Sequence, residues 1–333
     1  MALIRKLIVT GVIVSVAAVG GFQWWAGQPI TSGGATIPFA IAPGSGVAGA
    51  TQQMASAGVP INGFLFGVLA RLTGKASQIK AGSYELKPET TPRRLITQLV
   101  RGEFAQESLT IIEGWTFRQM RQAVDAAPNL RHETAKLSDK ELLEKVAPDY
   151  KAPEGLFFPD TYLFAKNSSD LQIYRQAHEM MIKRLKAAWE KREANLPYKD
   201  PYQALIMASL VEKETGQKSE RSMIAGVFVN RLKTGMLLQT DPTVIYGMGD
   251  KYDGKIRKKD LETDTPYNTY TRAGLPPTPI ALPGVESLAA ALAPAKTEAL
   301  YFVSRGDGTS HFSVNLNEHN KAVNQFQRAQ GTQ

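Results

Sequence analysis

The sequence predicts an α+β protein held on a single N-terminal membrane helix. Three observations lead there. A charge-free apolar run extends from Leu7 to Ala26. Strand-like and helix-like patterns alternate between about residues 35 and 105, and helical periodicity then gives way to a last third rich in glycine and proline. At 333 residues, 43% apolar and 21% charged, the chain has the make-up of a globular protein with room for one large or several smaller domains. The net charge of +8 suits an anionic neighbour, whether lipid headgroups, nucleic acid or an acidic polymer. There is no cysteine, which excludes thiol nucleophiles, cysteine-bound zinc and disulfides.

The apolar run, at about 1.5 Å per residue, is long enough to cross a bilayer. Arg5 and Lys6 precede it, Trp24 and Trp25 close it where an aromatic belt lies, and the next charge is Arg71. The positive-inside rule keeps the basic tip in the cytoplasm and exports everything after Ala26. A cleaved signal peptide is the competing reading. The length of the run, and the lack of a small-x-small cleavage pattern at Trp24-Trp25, favour a retained anchor.

Residues from Gln28 to about Gly46 read as an extended tether leading into a strand at Ile37 to Ile41. Val47 to Leu72 reads as helix interrupted at Val59-Pro60. Ala81 to Leu86 alternates like a strand, and Thr91-Pro92 opens a helix carrying Leu95, Ile96, Leu99 and Val100 that Gly102 closes. Leu109 to Ile112 is a strand, and Glu113-Gly114-Trp115-Thr116 turns into a helix from Phe117 to Ala126. The polar stretch Arg131 to Lys145 is expected as a solvated helix, and Gly155 to Tyr162 is a dense aromatic turn. A long helix from Ser169 to about Ala194 leads to another opening at Tyr202, and Asp241 to Gly284 is expected to be mostly loop.

Within the Tyr202 helix, Met207, Leu210, Val211 and Glu214 recur at i, i+3, i+4 and i+7, one helix face. An apolar stripe that ends in an acid is unusual, because a buried carboxylate is costly unless paired or protonated. Glu212 lies about 200° around the helix from Glu214 and is expected to face outward, with Gly216 as C-cap. A half-buried glutamate suits proton transfer near neutral pH. An ordinary helix with an acid-rich end is the plain alternative.

Other motifs carry less. Gly44-Ser45-Gly46-Val47-Ala48-Gly49 has the dinucleotide spacing, but no acid follows before Glu85, so a turn into a helix is the better account. His132, His178, His311 and His319 show no metal spacing, and Gly-x-Ser-x-Gly is absent. The Lys255 to Lys259 cluster has only Tyr252 as a stacking aromatic and is read as a solvated or polyanion-facing patch, not as a nucleic-acid site. No metal and no cofactor are expected. The Asp-Pro segment Leu238 to Gly247, and Tyr267-Asn268-Thr269-Tyr270, gather aromatic rings, hydroxyls and amides of the kind that hold sugar polymers. Gln239, Thr240, Asp241, Thr243, Tyr246, Asn268 and Tyr270 are the candidate groove residues; their alternative role is to position the loops that shape a cleft.

These segments carry a resemblance. Ala208 to Thr215, Val229-Asn230-Arg231-Leu232, Leu238 to Gly247, Tyr267 to Tyr270 and Gly274-Leu275-Pro276-Pro277, together with Ala81 to Tyr84, Glu113 to Thr116 and Glu154 to Tyr162, resemble the YceG-like (MltG) endolytic murein transglycosylases. The likeness covers nearly the whole exported part and is weakest between Asp125 and Ala152. It implies a small LysM-like α+β module near the membrane and a mixed α/β catalytic domain with a lytic-transglycosylase-like cleft. The expected division is an anchor over 1–27, tether and module over 28–105, a connecting segment over 106–165 and the catalytic domain over 166–333.

The resemblance makes Glu214 the catalytic acid. It implies cleavage of the MurNAc–GlcNAc β-1,4 bond in nascent glycan strands with 1,6-anhydro-MurNAc formation, ending strand elongation. Partners would be peptidoglycan glycan strands, the inner membrane on its periplasmic side and, through the anchor, peptidoglycan synthases. Asp241 and Asp264 are the acids that would change the single-acid chemistry if folding set either beside Glu214. A hydrolase shares the site, and the alternative from another class is a non-catalytic, membrane-anchored glycan-binding scaffold of the cell-wall machinery.

Overall fold

The computed structural model describes residues 2–31 and 33–328. It is a mixed α/β protein of two compact units: residues up to Glu107 with Leu163–Asn167, and Ser108–Tyr162 with Ser168 onward.

In the first unit, α1 (Ala2–Gly27) contains Ile4–Gly27, 24 residues long and apolar enough to cross a membrane. Leu7, Ile8, Val12, Ile13 and Val16 are each more than half exposed, as lipid-facing side chains would be. The end of the helix differs: Ala26 is fully buried, and Phe22 and Trp25 pack against the core of the unit. The Ile30 amide then donates to the Thr90 carbonyl at 2.9 Å, and the Glu89 amide to Thr31 at 3.1 Å. The stretch expected as an extended tether is therefore laced to the 87–90 turn, where its backbone groups find partners in place of water.

β1 (Ile37–Ile41) pairs antiparallel with β2 (Gly82–Leu86), placing Phe39 opposite Tyr84. Between them lie α2 (Val47–Ser56) and α3 (Gly63–Leu72), parted at Pro60 as the sequence predicts. α4 (Pro92–Arg101) starts on the Thr91 hydroxyl, which accepts from the Arg94 amide, and stops at Gly102 in the left-handed region (φ 71°). Leu95, Ile96 and Leu99 of α4 close over Met54, Phe66, Tyr84 and Leu86.

β3 (Gln106–Thr110) pairs with β5 (Thr161–Ala165). β4 (Leu130–Arg131) pairs in parallel with β6 (Ser168–Ser169). In the second unit, α5 (Phe117–Asp125) and α6 (Asp139–Val146) each begin with a capping box, Thr116 with Gln119 and Ser138 with Glu141. The stretch 131–145 is thus helical only from Asp139. The buried Asp170 carboxylate takes the Glu133 and Thr134 amides and the Thr134 hydroxyl (3.2, 3.1 and 2.7 Å), which holds the preceding residues in a turn.

The rest of this unit is a helical core: α7 (Leu171–Glu190), α8 (Pro201–Glu214), α9 (Arg221–Thr234), α10 (Asp241–Met248), α11 (Lys258–Glu262) and α12 (Val285–Leu292). A hairpin of β7 (Tyr301–Ser304) and β8 (Ser310–Ser313), followed by α13 (Leu316–Val323), completes it. α8 packs against α7, α9, α10 and α12, and every residue from Ala204 to Glu212 is buried. The single buried stripe expected from spacing is corrected here: a helix apolar almost all round belongs at the centre of a core. Ser209, the one polar residue in that apolar run, has its hydroxyl donating to Ile206 O (2.7 Å) and accepting from Ile280 N (3.0 Å).

Candidate active site

α8 ends at Glu214, and Thr215 leaves it in an extended conformation (φ −141°, ψ 135°), so Gly216 is not the cap expected of it. Glu214 is half-buried, and its Oε2 accepts a 2.5 Å hydrogen bond from the Thr240 hydroxyl. Thr240 sits at the N-cap position of α10, but its side chain makes no capping bond; it serves Glu214 instead. The Thr240 amide donates to Thr269 Oγ1 (3.1 Å), the Thr243 hydroxyl donates to Thr240 O (2.7 Å), and the Thr243 and Thr269 hydroxyls meet at 2.8 Å. Two buried threonines, Thr243 and Thr269, therefore brace the buried partner of Glu214. Gln239, next in the chain, is exposed and left-handed (φ 49°), with its amide bonded to Thr269 O at 3.1 Å.

Burial pushes the Glu214 carboxyl up, and the Asp241 carboxylate pushes the same way. The Thr240 hydrogen bond and the Arg231 charge pull it down, and burial wins. The proton is thus held to higher pH than on an ordinary glutamate, as a general acid needs. Of the two other acids named from sequence, Asp241 lies near enough for Glu214 to feel its charge; it is exposed, with the Tyr270 hydroxyl donating to it at 2.5 Å. Asp264 instead is exposed and paired with Arg272 at 2.8 Å, which holds it down to about 2.

Arg231 was not singled out from sequence. It is 7% exposed, donates from Nε to Leu300 O and from Nη1 to Leu238 O (both 2.7 Å), and lies over the Tyr301 ring at 5.3 Å. Its place in the Val229-Asn230-Arg231-Leu232 motif, in the last turn of α9, is the signal the sequence offers. Glu212 does not face outward. It is 9% exposed and pairs with buried Arg221 at 3.0 Å, with the Gly284 amide donating to it at 2.9 Å. The two acids do lie on different sides of α8, but both sides are packed.

Asn268 is 1% exposed; its Nδ2 donates to Asp260 O, Leu261 O and Thr263 O, and its Oδ1 accepts from the Tyr270 amide. Its polar atoms are thus spent on holding the loop that carries Thr269 and Tyr270. Asn268→Ala is expected to lose roughly 2 kcal/mol of stability through the stranded carbonyls, read from urea unfolding; an unchanged midpoint would contradict this.

Tyr246 donates to Glu154 Oε2 at 3.0 Å, an acid that sequence reading used only as the start of a motif. Glu154 is 5% exposed and burial raises it to about 7, against the opposing bonds from Phe117 N and Tyr246. The folded chain then holds this proton more tightly than the unfolded one. The contribution is complete below about pH 4.5 and is lost as pH climbs through about 7, on the order of 3 kcal/mol in all. Urea unfolding across that range should show Glu154→Gln gaining on the wild type as pH rises; parallel curves would refute the account. Among the described residues, Asp125, His132 and Asp170 also bring ligand-type atoms within 4.8 Å of one another, though Asp170 is already engaged by Glu133 and Thr134.

The model of the YceG-like family matches residues 39–325. The chain belongs to the YceG-like family. It is 36% identical over 270 residues to the endolytic murein transglycosylase of Bacillus subtilis, covering 75% of this chain and 74% of that protein. It is 27% identical to the endolytic murein transglycosylase of Streptococcus pneumoniae (strain D39), covering 86% of this chain but only 58% of that longer relative. A crystal structure of a YceG-like protein from Listeria monocytogenes superposes with a TM-score of 0.54 at 32% identity, over 86% of this chain and 98% of that one.

Proposed function

We propose that this chain is a membrane-anchored peptidoglycan lyase, an endolytic lytic transglycosylase with Glu214 as its acid. The observation that carries the reading is the half-buried Glu214, its carboxyl pushed up by burial and aligned by the Thr240 hydroxyl. Glu214 gives its proton to the glycosidic oxygen as the bond from the muramyl C1 breaks. The resulting carboxylate takes the proton from the muramyl O6 hydroxyl as O6 closes on C1. The proton given to the leaving oxygen is replaced by the one taken from O6, water is not consumed, and one product carries a 1,6-anhydro end.

Gln239, Asp241 and Tyr270 are the groove residues that would meet sugar, a reading supported by the exposure of Gln239 and Asp241 and the partial exposure of Tyr270. Thr240, Thr243, Tyr246 and Asn268 hold the loops beneath them. The strand–helix–helix–strand arrangement of β1, α2, α3 and β2 supports reading the first unit as LysM-like, with a polar groove lined by Glu85, Lys87, Arg94, Gln98 and Phe104 for glycan. The basic tip at Arg5 and Lys6, in the first turns of α1, supports reading the helix as an anchor with the rest of the chain exported to act on nascent strands, with synthases as candidate neighbours.

The Asp241 charge felt at Glu214 favours one second reading, a hydrolase in which this carboxylate activates water. Mass spectrometry of glycan strands digested by the full chain in detergent tests both. Anhydro ends are expected; reducing ends would mean hydrolysis, and uncut strands would mean a binding scaffold.

A further inference from the structure

Glu154 shares a unit with Glu214 and takes no part in the acid–base step just described. Its Oε1 accepts from the amide of Phe117, the first residue of α5, at 2.9 Å, and its Oε2 from the Tyr246 hydroxyl of α10 at 3.0 Å. The other titratable groups that feel it are Asp139 of α6 and Tyr202 of α8. Among the described residues, no lysine, arginine or histidine lies within ion-pair distance of it. A buried acid without a counter-ion is expensive, and an apolar residue of similar size would serve packing better.

What the bond reaches explains its presence. Tyr246 is five residues after Asp241, about 7.5 Å further along α10, whose first residue directly follows Thr240. The Tyr246 ring meets Tyr267 edge-on at 4.8 Å, and Tyr267 leads into Asn268, Thr269 and Tyr270. At the neighbouring Gly247 a Cβ would come within 2.7 Å of Thr265 Oγ1, so α10 lies tight on this loop. Both segments that brace the Glu214–Thr240 bond are thus held from one carboxyl group.

We propose that Glu154 is a positioning residue for the transglycosylase step, acting through Tyr246 to hold α10 and thereby the Thr240 hydroxyl on Glu214. The proposal rests on Glu214 being the catalytic acid. Burial holds the proton on Glu154 to higher pH than on an ordinary glutamate, in keeping with a site that offers it no cation.

Steady-state kinetics on purified glycan strands, with the full chain in detergent, test this. Glu154→Ala and Tyr246→Phe should each lower kcat by about tenfold or more with KM within about twofold. The double variant should be no slower than Glu154→Ala, since the two act as one unit. Glu154→Gln, which keeps a polar atom for each partner, should recover most of the rate. The proposal is overturned if folded Glu154→Ala and Tyr246→Phe keep wild-type kcat, if their losses multiply in the double variant, or if KM rises while kcat holds. Should Glu154→Ala fail to fold, Tyr246→Phe and Glu154→Gln carry the same test. A wild type that cuts no glycan removes the proposed function and this inference with it, whereas a cutting wild type with unaffected variants removes this inference alone.

Discussion

Glu214→Gln is expected to fold as the wild type does, to bind glycan strands and to cut them about a thousandfold more slowly or not at all. The amide keeps the shape of the carboxyl and can still accept from the Thr240 hydroxyl, so the threonine knot around Thr240, Thr243 and Thr269 has no reason to loosen. What it cannot do is give a proton to the leaving oxygen or later take one from O6. Because burial holds the wild-type carboxyl above its ordinary range, activity should fall on the alkaline side as Glu214 loses its proton, and this limb should vanish in the variant. Removing the Thr240 bond, which pulls the other way, should move the limb to higher pH in Thr240→Val. Retained cleavage in Glu214→Gln would end the assignment.

The largest expected loss of stability lies on the other side of α8. Arg221 is 5% exposed and bonds Glu212 at 3.0 Å and Glu286 at 3.3 Å. Arg221→Met would leave Glu212 charged and buried with only the Gly284 amide, a cost of about 3–5 kcal/mol. Glu113 lies on the same spot. Burial and then the Glu212 charge push its carboxyl up, and a Cβ on Gly284 would come within 2.0 Å of its Oε1. The double change Arg221→Met with Glu212→Leu should regain most of the loss, since a well-packed apolar pair replaces a buried ionic one at little cost. Thermal unfolding decides; a single variant as stable as the wild type would show that the pair contributes nothing.

The chain disclosed its local structure more readily than its packing. Thr91-Pro92 and Gly102 bound α4 as written, because caps act over a few residues. That Glu214 shares a helix face with Met207 was legible in the i, i+7 relation, since helix spacing survives whatever packs around it. The exposure of Glu212 was not, because it depends on Arg221 and Gly284, 9 and 72 residues away. Glu154 meets Tyr246 across 92 residues and was unreadable for the same reason. Asp241-Pro242 was read as a turn although proline is equally suited to the first turn of a helix, and α10 is that helix. The β7–β8 hairpin, with Gly306 and Gly308 both left-handed in its turn, was a local signal left unread.

The central claim is that Glu214 works alone and that the muramyl O6, not water, ends on C1. Digestion of glycan strands in water enriched in heavy oxygen tests it most directly. The account predicts anhydro-ended fragments with no label at the newly formed end. Fragments carrying one heavy oxygen at C1 would contradict it and assign the second step to water activated beside Glu214, with Asp241 as the base.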